Sequence, residues 1–164
     1  MNPFNLTRLN RLSPYSVWID TRGLNFKTDY EIYYTAEFDM EDSAFGVTAY
    51  WFNLTNNTLQ NSPNDEKVQK TIVCIIEEFF RTNPDILLYM CDTADNQQAV
   101  RARLFLHWFN KYGKSEDYVI KTAVVHSSEE TNYVALILQR CHPSFFEIMQ
   151  LFEQEIEMFQ NNKP

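Results

Sequence analysis

Acids, an amide and bases are concentrated at one place in this chain. Asp92, Asp95 and Asn96 follow directly on the apolar run Ile86–Cys91, and Arg101, Arg103 and His107 come next in a segment with helical spacing. Polar groups just beyond the carboxyl end of a buried strand are where open sheets tend to bind ligands. Asp92 paired with an arginine could hold a small polar or anionic ligand, and a carboxylate beside a tyrosine hydroxyl could move a proton. On a helix Arg103 and His107 stand one turn apart on the same face, while Arg101 lies about 160° around the axis from Arg103. A single ligand therefore meets one arginine or the other. The plainer assignment makes Asp95 a helix cap, Asp92 an ion-pair partner and His107 a surface side chain.

Other reactive types are dispersed. The three cysteines, Cys74, Cys91 and Cys141, form no CxxC pair, and Cys141-His142 alone is too few ligands for zinc. Their apolar neighbours mark them as reduced, buried thiols, and Asp92 beside Cys91 has the wrong sign to activate a nucleophile. Asp39, Glu41 and Asp42 form an acidic turn without a calcium-loop pattern. Gly23, Gly46 and Gly113 are the only glycines, and they are far apart. Loops that cradle a phosphate need clustered glycines, so a Walker loop and a dinucleotide fingerprint are both excluded. The formal charge of −8 argues against nucleic acid as a partner. The first residues hold no apolar run suited to a leader, and no stretch is long and apolar enough to span a bilayer, so the expected setting is soluble and cytoplasmic.

The elements that must position these groups follow from periodicity. Residues 1–14 read as a short helix or an arm. Tyr15–Ile19 and Leu24–Lys27 flank the turn-like Asp20–Gly23, Asp29–Phe38 alternates as a strand, and Gly46–Leu54 is the next, after a turn at Met40–Ser43. From Pro63 a helix begins whose stripe is Val68, Ile72, Ile75, Ile76, Phe79 and Phe80, stopped by Asn83-Pro84. Ile86–Cys91 is apolar throughout, as a strand covered on both faces should be. A helix capped by Asp95 buries Ala102, Phe105, Leu106, Phe109 and Tyr112 and ends at Gly113, expected as a left-handed cap. Tyr118–Val125 and Asn132–Leu138 are paired strands around an acidic turn. A last helix after Pro143 buries Phe145, Ile148, Met149, Phe152, Ile156 and Phe159. No linker or repeat divides the chain, so one α+β domain with a mixed, mostly antiparallel sheet is expected.

That order resembles the core of the GNAT family of N-acetyltransferases. Asp95–Gly113 is similar to the family's stretch in which Asn and small residues open a helix ending in an aromatic–Lys–Gly turn, and Tyr133–Leu138 resembles its final strand. The chain as a whole also resembles a group of uncharacterised small bacterial proteins. Shared features are Asp65 followed by Thr71-Ile72, a Tyr-x-Cys-Asp strand end at Tyr89–Asp92, and Arg101-x-Arg103-Leu-Phe-x-x-Trp108-Phe109. The acetyltransferase resemblance implies acetyl-CoA as cofactor, with Asp92 or Glu37 as general base and Tyr112 as general acid. Against it stands the segment where that family binds pyrophosphate on an Arg/Gln-x-x-Gly-x-Gly/Ala turn. This chain reads Gln60-Asn-Ser-Pro-Asn-Asp-Glu-Lys67, with no glycine, a proline lacking an amide donor, and two carboxylates where an anion would sit. The expectation is therefore no cofactor. A non-enzymatic interaction or regulatory module would meet a protein partner, or a second copy, through an aromatic face drawn from Tyr30, Tyr33, Tyr34 or Tyr50.

Overall fold

The computed structural model describes residues 1–41, 46–91, 98–113, 116–126 and 131–161. Among them the chain forms four helices and a mostly antiparallel, mixed sheet of seven strands, an α+β architecture. In chain order these are α1 (Leu6–Leu12), β1 (Val17–Ile19), β2 (Leu24–Lys27), β3 (Tyr33–Glu41), β4 (Ala49–Asn56) and α2 (Glu66–Thr82). Then come β5 (Ile86–Cys91), α3 (Gln98–Tyr112), β6 (Tyr118–His126), β7 (Thr131–Gln139) and α4 (Phe145–Asn161).

Across the sheet the strands run β1-β2-β3-β4-β5-β7-β6, so the last pair enters in reverse order. β4 and β5 are parallel because α2 crosses between them, whereas every other neighbour is antiparallel. The β4–β5 ladder runs from Ala49–Ile86 to Phe52–Tyr89 and stops there, although β4 continues to Asn56 and β5 to Cys91.

The sheet has two unequal layers. On one face the stripe of α2 meets Val17, Leu24, Phe26, Tyr34, Ala36, Tyr50 and Phe52, and α1 and α3 close the same core. Its rings touch in series: Phe38 stacks on Phe79 at 5.0 Å, Tyr50 meets Phe79 edge-on at 5.6 Å, and Phe79 meets Phe80 at 5.2 Å. On the other face α4 places Ile148 and Phe152 against Leu88, Ala123, Leu136 and Leu138. Every apolar residue named for the α2 stripe is buried, as the helical period requires. Phe159 lies where side chains are outside the described residues.

Several expectations need correction. β3 starts at Tyr33 rather than Asp29, because Thr28 Oγ1 accepts the amides of Tyr30 and Ile32 and Glu31 adopts φ 63°. β3 also continues to Glu41, past the expected turn at Met40, and β4 begins at Ala49. Gly113 is not a left-handed cap: the one glycine with positive φ is Gly46. It is a glycine for lack of space, since a Cβ there would stand 2.7 Å from the Phe109 carbonyl oxygen. Cys141 is exposed rather than buried, while Cys74 is half-buried among apolar neighbours that push its thiol up to about 11. The side chain of Cys91 lies outside the described residues.

Candidate functional site

The first turn of α2 is the place where an anion would be held, because the opening amides of a helix have no partner within it. Here the chain supplies its own carboxylate. Asp65 is the N-cap in an extended conformation, and its Oδ1 accepts the Lys67 amide at 2.9 Å. Its other oxygen accepts the Tyr15 hydroxyl at 2.6 Å, and that hydroxyl in turn accepts the Asp29 amide at 3.2 Å. Burial pushes the Tyr15 hydroxyl up to about 12, with the hydrogen bond to Asp65 adding to it. A tyrosine so placed stays protonated and keeps donating to Asp65.

The flanking charges are paired as well. Lys67 Nζ reaches Asp29 at 2.6 Å, and that hydrogen bond holds the aspartate below its ordinary range. Glu66 meets Lys111 of α3 at 3.0 Å and is lowered by the same contact. Asn64 accepts from Gln69 at 2.8 Å. The sequence made Asp65 and Glu66 a repulsive pair for any phosphate, and the structure adds that Asp65 already occupies a cap amide.

Where the β4–β5 ladder ends, aromatic rings fill the space towards α3. Tyr89 stacks on Phe105 at 4.4 Å, and Phe52 lies 6.0 Å from Tyr89 and 6.3 Å from Phe105. Asp92, Asp95 and Asn96, named beyond β5, lie outside the described residues. Arg101 and Arg103 fall on α3, in a part whose side chains are outside the description, and His107 on the same helix is exposed.

Glu37 and Tyr112, the base and acid implied by the acetyltransferase resemblance, are not brought together. Ala36 and Phe38 face the α2 core, so Glu37 between them projects from the opposite face, whereas Tyr112 packs against that core. Among the described residues no group meets the buried Tyr112 hydroxyl in hydrogen-bonding geometry, and its ring lies 5.2 Å from the Lys70 ammonium and 4.8 Å from that of Lys111. Asp39 and Glu41 are taken by neighbours: Asp39 accepts from Asn53 at 2.9 Å and Glu41 from the Trp51 indole. Among the described residues no group of acids, histidines and cysteines could hold a metal ion.

The aromatic face also divides. Tyr34 and Tyr50 are core residues, because both alternate onto the α2 side of their strands, which corrects their assignment to an exposed face. Tyr30 and Tyr33 are exposed, and Trp18, 42% exposed, lies on the same face of the sheet as Tyr33. Trp18 pairs with Asn25 across β1–β2, and the Lys27 ammonium lies 5.3 Å over the Tyr33 ring.

A family model matches residues 64–154, from the cap of α2 into α4. The chain belongs to this family, DUF6169, a family of unknown function. The match leaves out α1 and the whole β1–β4 meander. No curated protein and no solved structure matches the chain. Among the described residues no helix is long and apolar enough to cross a membrane.

Sequence reasoning missed Glu78. It is fully buried on α2, receives Arg8 at both oxygens (2.8 and 2.5 Å), and accepts the Asn5 amide at 3.2 Å and Arg81 at 3.3 Å. Burial by itself would raise this carboxyl, but the hydrogen bonds from Arg8 and Asn5 outweigh it and leave the group below its ordinary value. This cluster ties α1 to α2, and its role is structural. A signal was available in the helix itself, since Glu78 follows Thr71 and Ile75 at seven- and three-residue spacing, at the edge of the core stripe.

Proposed function

We propose that this protein is a non-enzymatic interaction or regulatory module built on an acetyltransferase-like scaffold that has lost its cofactor loop. One observation carries the reading: the cap of the crossover helix is closed by Asp65, which is held by the Lys67 amide and the Tyr15 hydroxyl. A pyrophosphate arriving there would have to displace a carboxylate and face Glu66 and Asp29, with Pro63 offering no amide. A protein partner would instead meet the face of the meander turned away from α2, where Trp18 and Tyr33 stand exposed and which the alternation of β3 gives also to the acids Glu37 and Asp39.

Thermal-shift measurement with CoA and acetyl-CoA tests this. A cofactor at a hundred times its dissociation constant stabilises a protein by about 2.7 kcal/mol. The expected result is no shift for either compound, together with loss of partner capture in Trp18→Ala and Tyr33→Ala. A clear stabilisation by CoA would refute the reading.

A second reading, an acyl-CoA-dependent N-acetyltransferase with an altered cofactor loop, is favoured by the strand order. A meander, a crossover helix between parallel β4 and β5, and a closing strand pair follow one another in the order that the acetyltransferase resemblance implies. The same thermal-shift measurement distinguishes the two readings.

A further inference from the structure

The two edges of the sheet are finished differently. β1 is three residues long, and shortness is one way natural sheets protect an edge. β6 at the other edge runs nine residues, and no described strand lies on its outer side. The Arg140 amide donates to the Asp117 carbonyl at 2.9 Å, which makes 117 and 140 a hydrogen-bonded pair of the β6–β7 register. Backbone direction alternates along an antiparallel strand, so Val119, Lys121 and Ala123 bond to β7 while Tyr118, Ile120 and Thr122 direct their amides and carbonyls outward.

A cavity of about 330 Å³ lies beside this edge, walled by Leu106 and Phe109 of α3 and by Tyr118 and Ile120 of β6, with Asn110 and Arg140 as its polar groups. That volume is at the lower end of the range for ligand pockets and suits one apolar side chain with its flanking backbone. Arg140 has no ion-pair partner among the described residues, whereas Lys121 on the same strand is engaged by Glu153.

We infer that β6 accepts an extended segment of a partner protein as an eighth strand. The segment bonds to the outward groups of Ile120 and Thr122, seats one apolar side chain in the cavity, and sets one carboxylate against Arg140. Main-chain pairing supplies affinity in this mode and the pocket supplies specificity. Glu116 and Asp117 stand exposed at the same end of the strand and restrict the segment to a single acid by like-charge repulsion. The inference rests on the interaction reading above but places the contact at the opposite edge of the sheet from the meander.

The test uses the full chain and a phage-displayed library of random octapeptides, with an unrelated acidic domain as control and enriched peptides resynthesised with a fluorescent label. Enriched sequences should combine an apolar residue with one acid in an extended, β-branched context. Thr122→Pro removes an outward amide without touching the β6–β7 ladder, and Asn110→Trp fills the cavity. Each should weaken binding at least ten-fold, while Arg140→Glu should weaken acid-bearing peptides and leave their amide analogues unchanged. In the wild-type chain, bound peptide should slow hydrogen exchange at Ile120 and Thr122, a readout that survives even where a variant fails to fold.

No enrichment over the control, or binding without protection of those two amides, overturns the inference. Peptide binding lost in Trp18→Ala but kept in Thr122→Pro would retain the interaction module and overturn strand addition. A solution dimer broken by Thr122→Pro would overturn it in favour of a second copy as occupant. Stabilisation by CoA with no enrichment would remove both readings.

Discussion

Helix α2 is fastened by carboxylates at both ends, and the two fastenings differ in burial. Near its C-terminus Glu78 is fully buried and accepts from Arg8, Asn5 and Arg81. At its N-terminus Asp65, Glu66 and Lys67 make contacts of similar length close to solvent. Removing water from a charge is costly, so a buried carboxylate depends on every partner it has, whereas an exposed one exchanges partners with solvent at little cost. Similar chemistry thus fixes the fold at one end and shapes a surface at the other. Both ends also draw on residues ahead of the family-matched span: Arg8 and Asn5 for Glu78, Tyr15 and Asp29 for the helix start. The α1–β2 region therefore completes the part that defines the family.

The largest effect is expected at the buried end. Arg8→Ala leaves the buried Glu78 short of its main partner and should lower Tm by several degrees, the largest loss of the set. Replacing both partners, Arg8→Met with Glu78→Leu, should restore stability to within about 1 kcal/mol of wild type, and urea unfolding of all the variants checks the cycle. If Arg8→Ala is silent, the contrast between the two ends disappears.

Acid should show the same asymmetry. The folded-state pKa of Glu78 lies below its ordinary value of 4.5. Its contribution is therefore complete above that value and is lost as pH falls from there through the folded pKa. Melting scans between pH 7 and pH 2 should show a steeper acid loss for wild type than for the Arg8→Met, Glu78→Leu double variant.

At the exposed end, Asp65→Ala should cost about 1 to 2 kcal/mol, from the lost cap and the stranded Tyr15 hydroxyl, while Asp65→Asn should keep most of it. Circular-dichroism melts are sensitive enough to resolve the difference. Smallest of all, Lys67→Ala should leave Tm within a degree or so of wild type, about the scatter of repeat melts, since both it and Asp29 are exposed. A larger loss there would mean that the surface network acts as a unit.

How far the fold could be read ahead of the structure varied with the element. Ile86–Cys91 was legible to the residue, as a wholly apolar run shortly after Asn83-Pro84. The buried stripe of α2 was legible because three- and four-residue spacing survives any tertiary setting. The start of β3 was not, because the Thr28–Ile32 turn depends on a side-chain oxygen and a glutamate at positive φ, which composition does not announce. Aromatic abundance announced many rings without sorting Tyr34 and Tyr50, which are core, from Tyr30 and Tyr33, which are not. The candidate site was legible in part. Carboxylates at the α2 start were plain, but that Asp65 would be held by Tyr15, fifty residues away, was not.

By itself, then, the sequence determined the α+β class, the stripe of the crossover helix and the absence of a glycine-lined phosphate loop, all of which depend on neighbours close in the chain. Tertiary structure alone decided that Glu78 would be charged inside the core, that Glu37 and Tyr112 would stand on opposite faces, and that the nine-residue β6, like the three-residue β1, would be an outermost strand among the described residues. Those outcomes depend on strand order and on contacts such as Arg8 with Glu78, 70 residues apart, and no local pattern encodes them.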